Sequence, residues 1–345
     1  MRINTCPAAD LAVGRVAGFT LIEMMVAAGI LGLVVAGVMQ TFVAQNHAYT
    51  VVDQTTEAQQ NLRAISNLLE HDIRATGFMV PEGSAACAVD QTNGADTLWV
   101  TDADPINPTS QTRPQLGATV NGGSYTGALG SKTINVDNVV LDGTPFYDTN
   151  NDGVADADFR INGGAILIDA DNPARGTACG VVTAVNPAGN TLTINWQTTI
   201  GAPPLGDRIV VVPAHVYAIA QRGAVANPTF TLQRDGRDIA ADVEDLQVAF
   251  FFDVDNNGQM GAPAAENPGS TAGNPYVSSA WDHRQLREVR LNVVVRSREP
   301  DPTDRQGLTQ ATENRVAAAG TDQFRRRVHT ATVRLRNVGF RGVAS

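Results

Sequence analysis

From Met24 to Met39 the chain reads MMVAAGILGLVVAGVM, apolar or glycine at every position. Taken from Phe19, the run has the roughly 20 residues that a helix needs to cross a bilayer core. After Gln40 the pattern changes without a break signal. Ala58, Leu62, Ile65, Leu69 and Ile73 recur at steps of four, three, four and four, one stripe of a helix, and Leu68 widens it. Glu57, Arg63, Glu70, Asp72 and Arg74 lie off that stripe. Gly77 supplies a stop and Pro81 prevents resumption. The pattern predicts one helix over 19–77, with a membrane segment over about 19–42. A helix with a single apolar stripe must cover it with something folded, and the remaining chain is the available material.

Beyond Gly77 the period shortens to two. Gly180 to Trp196 (GVVTAVNPAGNTLTINW) reads as a hairpin about a Pro-Ala-Gly-Asn turn. Arg208–Pro213, His215–Gln221, Phe230–Gln233, Val243–Phe252, Arg287–Arg298 and Arg327–Asn337 read as further strands. No long helical period follows Gly77, so the expected class is α+β: a long N-terminal helix packed on antiparallel sheets. Thr92–Leu129 and Gly261–Ala280, rich in Gly, Pro, Asn, Ser and Thr, read as long surface loops. The expected organisation is a short leader over 1–18, the helix over 19–77 and a β-rich globular domain over 78–345.

Composition narrows the function classes. The net charge is −10, and Lys132 is the one lysine. A nucleic-acid binder should show a basic face, and none is expected here. The basic cluster Arg325, Arg326, Arg327, Arg334, Arg336 alternates with Val328, Thr330, Thr332, Val333 and Leu335, and reads as a solvated strand face. Three cysteines are present: Cys6, Cys87 and Cys179. If the first segment is removed, Cys87 and Cys179 remain, which suits one disulfide in an oxidising compartment, with two free buried thiols as the alternative. Neither lies in a zinc-type spacing.

The head of the apolar run carries the most specific signal. Residues 1–18 are short, carry Arg2 and Arg15, and end in Gly18; then come Phe19-Thr-Leu-Ile-Glu23 and the apolar helix. An ordinary secretory signal places its apolar stretch before the cut, whereas here the order is reversed. G-F-T-L-I-E resembles the class III signal of type IV pilins and type II secretion pseudopilins. The resemblance implies cleavage after Gly18 by a prepilin peptidase, methylation of the new N-terminal Phe19, and a helix retained on the mature chain. It also implies an assembly role for Glu23, whose carboxylate would pair with the N-terminal amine of a neighbouring subunit. A buried carboxylate needs such a counter-charge, and a lone subunit in the bilayer is not expected to satisfy it.

Within that superfamily, VEDLQVAFFFDVDNNG, LREVRLNVVVRSR and RRRVHTATVRLRN are similar to the PilW-type minor pilins, relatives of minor pseudopilin J. The implied function is type IV pilus assembly or initiation near the pilus tip. The implied partners are other minor and major pilins and a tip adhesin. The implied location is the inner membrane, with the globular domain periplasmic, and the cell-surface pilus once assembled. Two alternatives stand beside it: a minor pseudopilin of a type II secretion system, and a membrane-anchored, calcium-dependent binding module or adhesin.

The third reading draws on two oxygen-rich runs. Asp148, Asn150, Asp152 and Asp156 fall on liganding positions of an EF-type calcium loop, with Val154 offering its carbonyl. Phe159 stands where the bidentate glutamate should be, and Asp158 is the substitute. Asp253, Asp255 and Asn257 repeat only the opening spacing. Oxygen-rich turns also form without metal, so calcium is an optional ligand and no cofactor is required. Enzyme chemistry is not expected: the five histidines form no ligand spacing, GGSYTG (122–127) lacks nucleophile-elbow spacing, and no Walker or dinucleotide motif occurs.

Overall fold

The computed structural model describes residues 18–101, 117–121, 125–201, 206–223, 228–255, 260, 270–271, 274–301, 312–313, 315 and 323–338. Compactness divides the chain into Met1–Asp53 and Gln54–Ser345. The division falls inside helix α1, which spans Leu21–Ala75. In the first unit every described residue from Gly18 to Thr50 is exposed, the apolar ones included.

In the second unit α1 buries Ala58, Leu62, Ile65, Leu69 and Ile73, the stripe that the periodicity marks. Folding therefore claims this part of the helix as core, and the helix continues past the expected membrane segment without needing its own sequence boundary. Its C-terminal carbonyls are satisfied from a distance: Asn337 Nδ2 donates to the carbonyls of Ala75 (3.1 Å) and Thr76 (3.3 Å). Gly77 then turns the chain at φ +81°, where a Cβ would meet Val338 at 2.8 Å.

The strands are β1 (Ala86–Val89), β2 (Thr97–Thr101), β3 (Ala118–Thr119), β4 (Gly130–Asn135), β5 (Gly164–Asp169), β6 (Thr177–Asn186), β7 (Thr191–Trp196) and β8 (Ile209–Arg222). They continue with β9 (Thr229–Arg234), β10 (Arg237–Ala241), β11 (Val243–Phe252), β12 (Ser270–Thr271), β13 (Asn274–Pro275), β14 (Leu286–Arg296) and β15 (Arg326–Arg334). All pairings are antiparallel. The large sheet runs β1-β2-β8-β5-β6-β7-β4, with β3 and β9 also on β8 and β10 on β9; a smaller sheet runs β11-β14-β15.

Two hydrophobic cores result, and β1, β2 and β8 stand between them. Cys87, Trp99 and Val216 face a core built within the large sheet, with Phe159, Ile166, Cys179 and Trp196. Their neighbours Ala86, Ala88, Leu98, Val100 and Tyr217 face the core that holds the helix stripe and the small sheet. Strand alternation sends successive side chains to opposite faces, so a strand buried on both sides serves two interiors at once. Cys87 and Cys179 are joined by a disulfide, Cα–Cα 6.4 Å, which ties β1 to β6 inside the first core.

Several expectations need correcting. Thr92–Leu129 is not all surface loop: it contains β2, whose Leu98, Trp99 and Val100 are fully buried, and β3. Of Gly261–Ala280 only parts lie among the described residues. The segments Arg208–Pro213 and His215–Gln221 are one strand, β8, running through Pro213. Pro213 lies opposite Ala165 of β5, between the residues paired with β3 and those paired with β2, a place where the ladder on that side changes partner. A further strand, β10, follows the Asp235-Gly236 turn, whose residues take φ +52° and +73°. Asp-Gly is the dipeptide such a two-residue hairpin turn favours.

Candidate functional site

The site begins where α1 begins. Thr20 is the residue before the helix, and Glu23 lies in its first turn. Glu23 Oε2 accepts from the Thr20 backbone N–H (2.9 Å) and from Thr20 Oγ1 (2.9 Å), while the Glu23 N–H donates to Thr20 Oγ1 (3.3 Å). This reciprocal pair is a capping box, which satisfies helix-end donors and places a negative charge at the positive end of the helix dipole. The hydrogen bonds of Glu23 are thus met by Thr20 in the same chain, whereas the counter-charge expected from a neighbouring subunit is a separate matter. These bonds bring no positive charge. The signal was legible as T-x-x-E ahead of an apolar run, and Thr20 is the residue that sequence reasoning passed over.

Gly18 and Phe19 lie immediately before this cap, both exposed, and a Cβ on Gly18 would touch nothing within 4 Å. The leader residues ahead of Gly18 lie outside the described residues. The helix that follows is long and apolar enough to cross a bilayer, and none of its apolar window is buried by the protein.

The first oxygen-rich loop closes on itself. Asp148 Oδ1 accepts from the N–H groups of Asn151 and Asp152, and its Oδ2 from Gly153 (2.8 Å). Asn150 Oδ1 accepts from the Asp152 N–H, and Asp152 Oδ1 from the Val154 N–H. Asp156 Oδ1 accepts from both the N–H and the hydroxyl of Thr149. The amides hold Asp148 below the usual carboxylate range. Asp158, the substitute ligand, is fully buried and accepts from the Leu141 N–H instead; burial pushes its carboxyl up to about 6. In the second run Asp253 is buried against Arg287 (3.3 Å), and Asn257 lies outside the described residues. Among the described residues no three His, Cys, Asp or Glu side chains gather around a point that would hold a cation. The geometry is that of Asx turns, and no calcium site is proposed.

The buried histidines are structural. His215 Nδ1 lies 2.6 Å from Asp235 Oδ2, whose partner oxygen accepts from the Val216 N–H, so the pair pins the β9–β10 turn onto β8. His283 is sealed among Phe250, Phe252 and Tyr276. Its Nδ1 lies 3.0 Å from the Ala86 carbonyl and its Nε2 2.7 Å from the Tyr276 hydroxyl. A neutral ring fits both contacts, Nδ1 donating and Nε2 accepting. Burial pushes its pKa down to about 4, so between that value and 6.5 the unfolded chain holds a proton that the folded chain refuses. Stability from this group is complete above about pH 6.5 and falls as pH drops towards 4, by about 3 kcal/mol in all. His283→Gln, which offers a donor and an acceptor without titrating, should flatten the stability–pH curve in that window in urea melts. An unchanged slope would show that His283 is not the group responsible.

Comparison with known proteins adds the family. A model of the prokaryotic N-terminal methylation motif matches residues 14–39, the cap and the apolar helix. A model described as Type IV Pilus-assembly protein W matches residues 222–337, from the end of β8 through β15. None of the curated proteins matches the chain. Among solved structures, a type IV-like pilin, TTHA1219 from Thermus thermophilus, is similar at 13% identity and a TM-score of 0.20, covering 52% of this chain and 87% of that one. At that score the backbones do not superpose as one fold, and the likeness adds nothing to the two family models. A methylation motif at the head of its apolar helix and the pilus-assembly pattern over its last strands both support a place in the type IV minor pilin superfamily.

Proposed function

We propose that the chain is a minor pilin that takes part in initiating type IV pilus assembly, at or near the pilus tip. In this reading prepilin peptidase cuts after Gly18 and the new Phe19 amine is methylated. The segment over about 19–42 holds the protein in the inner membrane, with the globular domain over 78–345 periplasmic. The observation that carries it is the junction of a capped, charge-bearing helix start with an apolar helix that the protein itself leaves uncovered. Such a surface needs lipid or neighbouring helices, and a filament core supplies the second. The disulfide agrees with an oxidising compartment. The pilus-assembly match over the C-terminal strands favours a pilus over a secretion pseudopilus.

Mass spectrometry of the membrane-bound chain tests the first step. The expected N-terminus is Phe19 carrying one methyl group, present only where a prepilin peptidase is active. An N-terminus at Met1, or a cut after Met39, would remove the basis of the proposal. Sheared surface filaments should contain the chain, and its deletion should lower the number of pili. Normal piliation with no chain in the filaments would favour the secretion pseudopilus.

A further inference from the structure

The arginine-rich strand β15, which reads in the sequence as a solvated face, is also an unpaired sheet edge among the described residues. β15 is the outer strand of the small sheet, without proline, and it pairs with β14 from Arg326↔Arg296 to Arg334↔Glu288 with no register shift. The Ser297 N–H donates to the Arg325 carbonyl and the Leu335 N–H to the Arg287 carbonyl. The odd-numbered residues therefore exchange main-chain bonds with β14, and the N–H and C=O groups of Val328, Thr330 and Thr332 point the other way. Among the described residues no strand pairs with that side, and these three residues are exposed.

Two other edges of the fold are blunted. β10 is short and its register shifts between Asp238 and Ala240; β4 is short and carries the chain's one lysine, Lys132. β15 is longer and regular. Arginines bracket its two ends: Arg326 is tied to Glu244, and Arg327, Arg334 and Arg336 are exposed.

We infer that the outer edge of β15 takes an extended acidic segment of a partner protein as a fourth strand of the small sheet. Main-chain bonds to Val328, Thr330 and Thr332 supply the pairing, and carboxylates near the ends of the incoming strand meet Arg327 and Arg336, exposed arginines at the two ends of β15. A second copy of this chain is a poor occupant. Antiparallel self-pairing about Thr330 sets Arg326 opposite Arg334 at both ends, like charges face to face. The inference rests on the edge and its charges alone, so it stands or falls separately from the filament reading.

The test uses the full chain in detergent micelles and a fluorescent peptide as long as β15, alternating valine and threonine with glutamate at both ends. Fluorescence anisotropy should show saturable binding, weakened roughly tenfold or more by Thr332→Pro, which deletes one outward N–H, and retained by Thr332→Val. The same peptide ending in lysine should bind roughly tenfold more weakly. In the unaltered protein, peptide binding should slow hydrogen exchange at the Val328, Thr330 and Thr332 amides, a reading that does not depend on any variant folding. Absence of binding, binding unaffected by Thr332→Pro in a folded variant, or unchanged exchange at those amides would overturn the inference. So would a dimer in sedimentation that Thr332→Pro dissolves, since the occupant would then be a second copy.

Discussion

If the chain is processed and assembled as proposed, Glu23→Ala should leave cleavage after Gly18 intact and lower incorporation into surface filaments by roughly tenfold or more. The reasoning starts from the capping box. In the single chain Glu23 already accepts two hydrogen bonds from Thr20, so its polar satisfaction does not require a neighbour. What the cap lacks is a cation. A charge at membrane depth without one is held at a disadvantage of a few kcal/mol, which a positively charged terminus would relieve. Cap and charge can be separated by experiment. Glu23→Gln keeps an acceptor for the Thr20 N–H, since glutamine serves equally in a capping box, but carries no charge. If the charge pairs subunits, the Gln variant should fail in sheared-filament assays nearly as badly as Ala. Wild-type incorporation of Glu23→Gln would reduce Glu23 to a helix cap and withdraw its assembly role.

The double variant Cys87→Ala/Cys179→Ala should fold but lose about 4–5 kcal/mol of stability, with the melting temperature lower by roughly 10–15 °C. The bond closes a sequence separation of 92 residues, and a loop of that size gives up much of its entropy in the unfolded state. Both sulfurs lie in a fully buried position, so removing both together avoids leaving a lone thiol facing a void. Thermal melts followed by circular dichroism give the comparison. A loss under about 1 kcal/mol would mean that the unfolded chain is already held compact by other contacts.

The sequence made the N-terminal part legible because one signal repeats there over many residues. The apolar run, the stripe from Ala58 to Ile73 and the stop at Gly77 each follow from helical period and backbone freedom. Val243–Phe252 was equally clear, its bounds set by a charged flank and an Asp turn. Strands β1, β2 and β5 were not. ACAV, TLWVT and GAILID are buried on nearly every residue, so they show no alternation, and each is too short to stand out from a Gly- and Pro-rich background. β8 was split because Pro213 reads as a break until the change of neighbours around it is known. At the site, Gly18, Phe19 and Glu23 were marked from the motif, whereas the part played by Thr20 needed the geometry. The oxygen-rich loop was marked from its spacing alone. Asx turns and EF loops use the same residues at the same spacing, so the spacing does not decide between them.

The wall made by β1, β2 and β8 has a consequence for how this protein tolerates change. At a helix or a surface strand, one inserted residue shifts a stripe or lengthens a loop. In β2 it would hand Trp99 to the interior shaped for Leu98 and Val100, and both of those to the interior shaped for an indole. A single slip would thus spoil two packings together, with no outer face to absorb the error. The parity of these few residues is therefore a constraint on the whole folded unit, and an insertion should be tolerated only in the segments that leave the wall untouched.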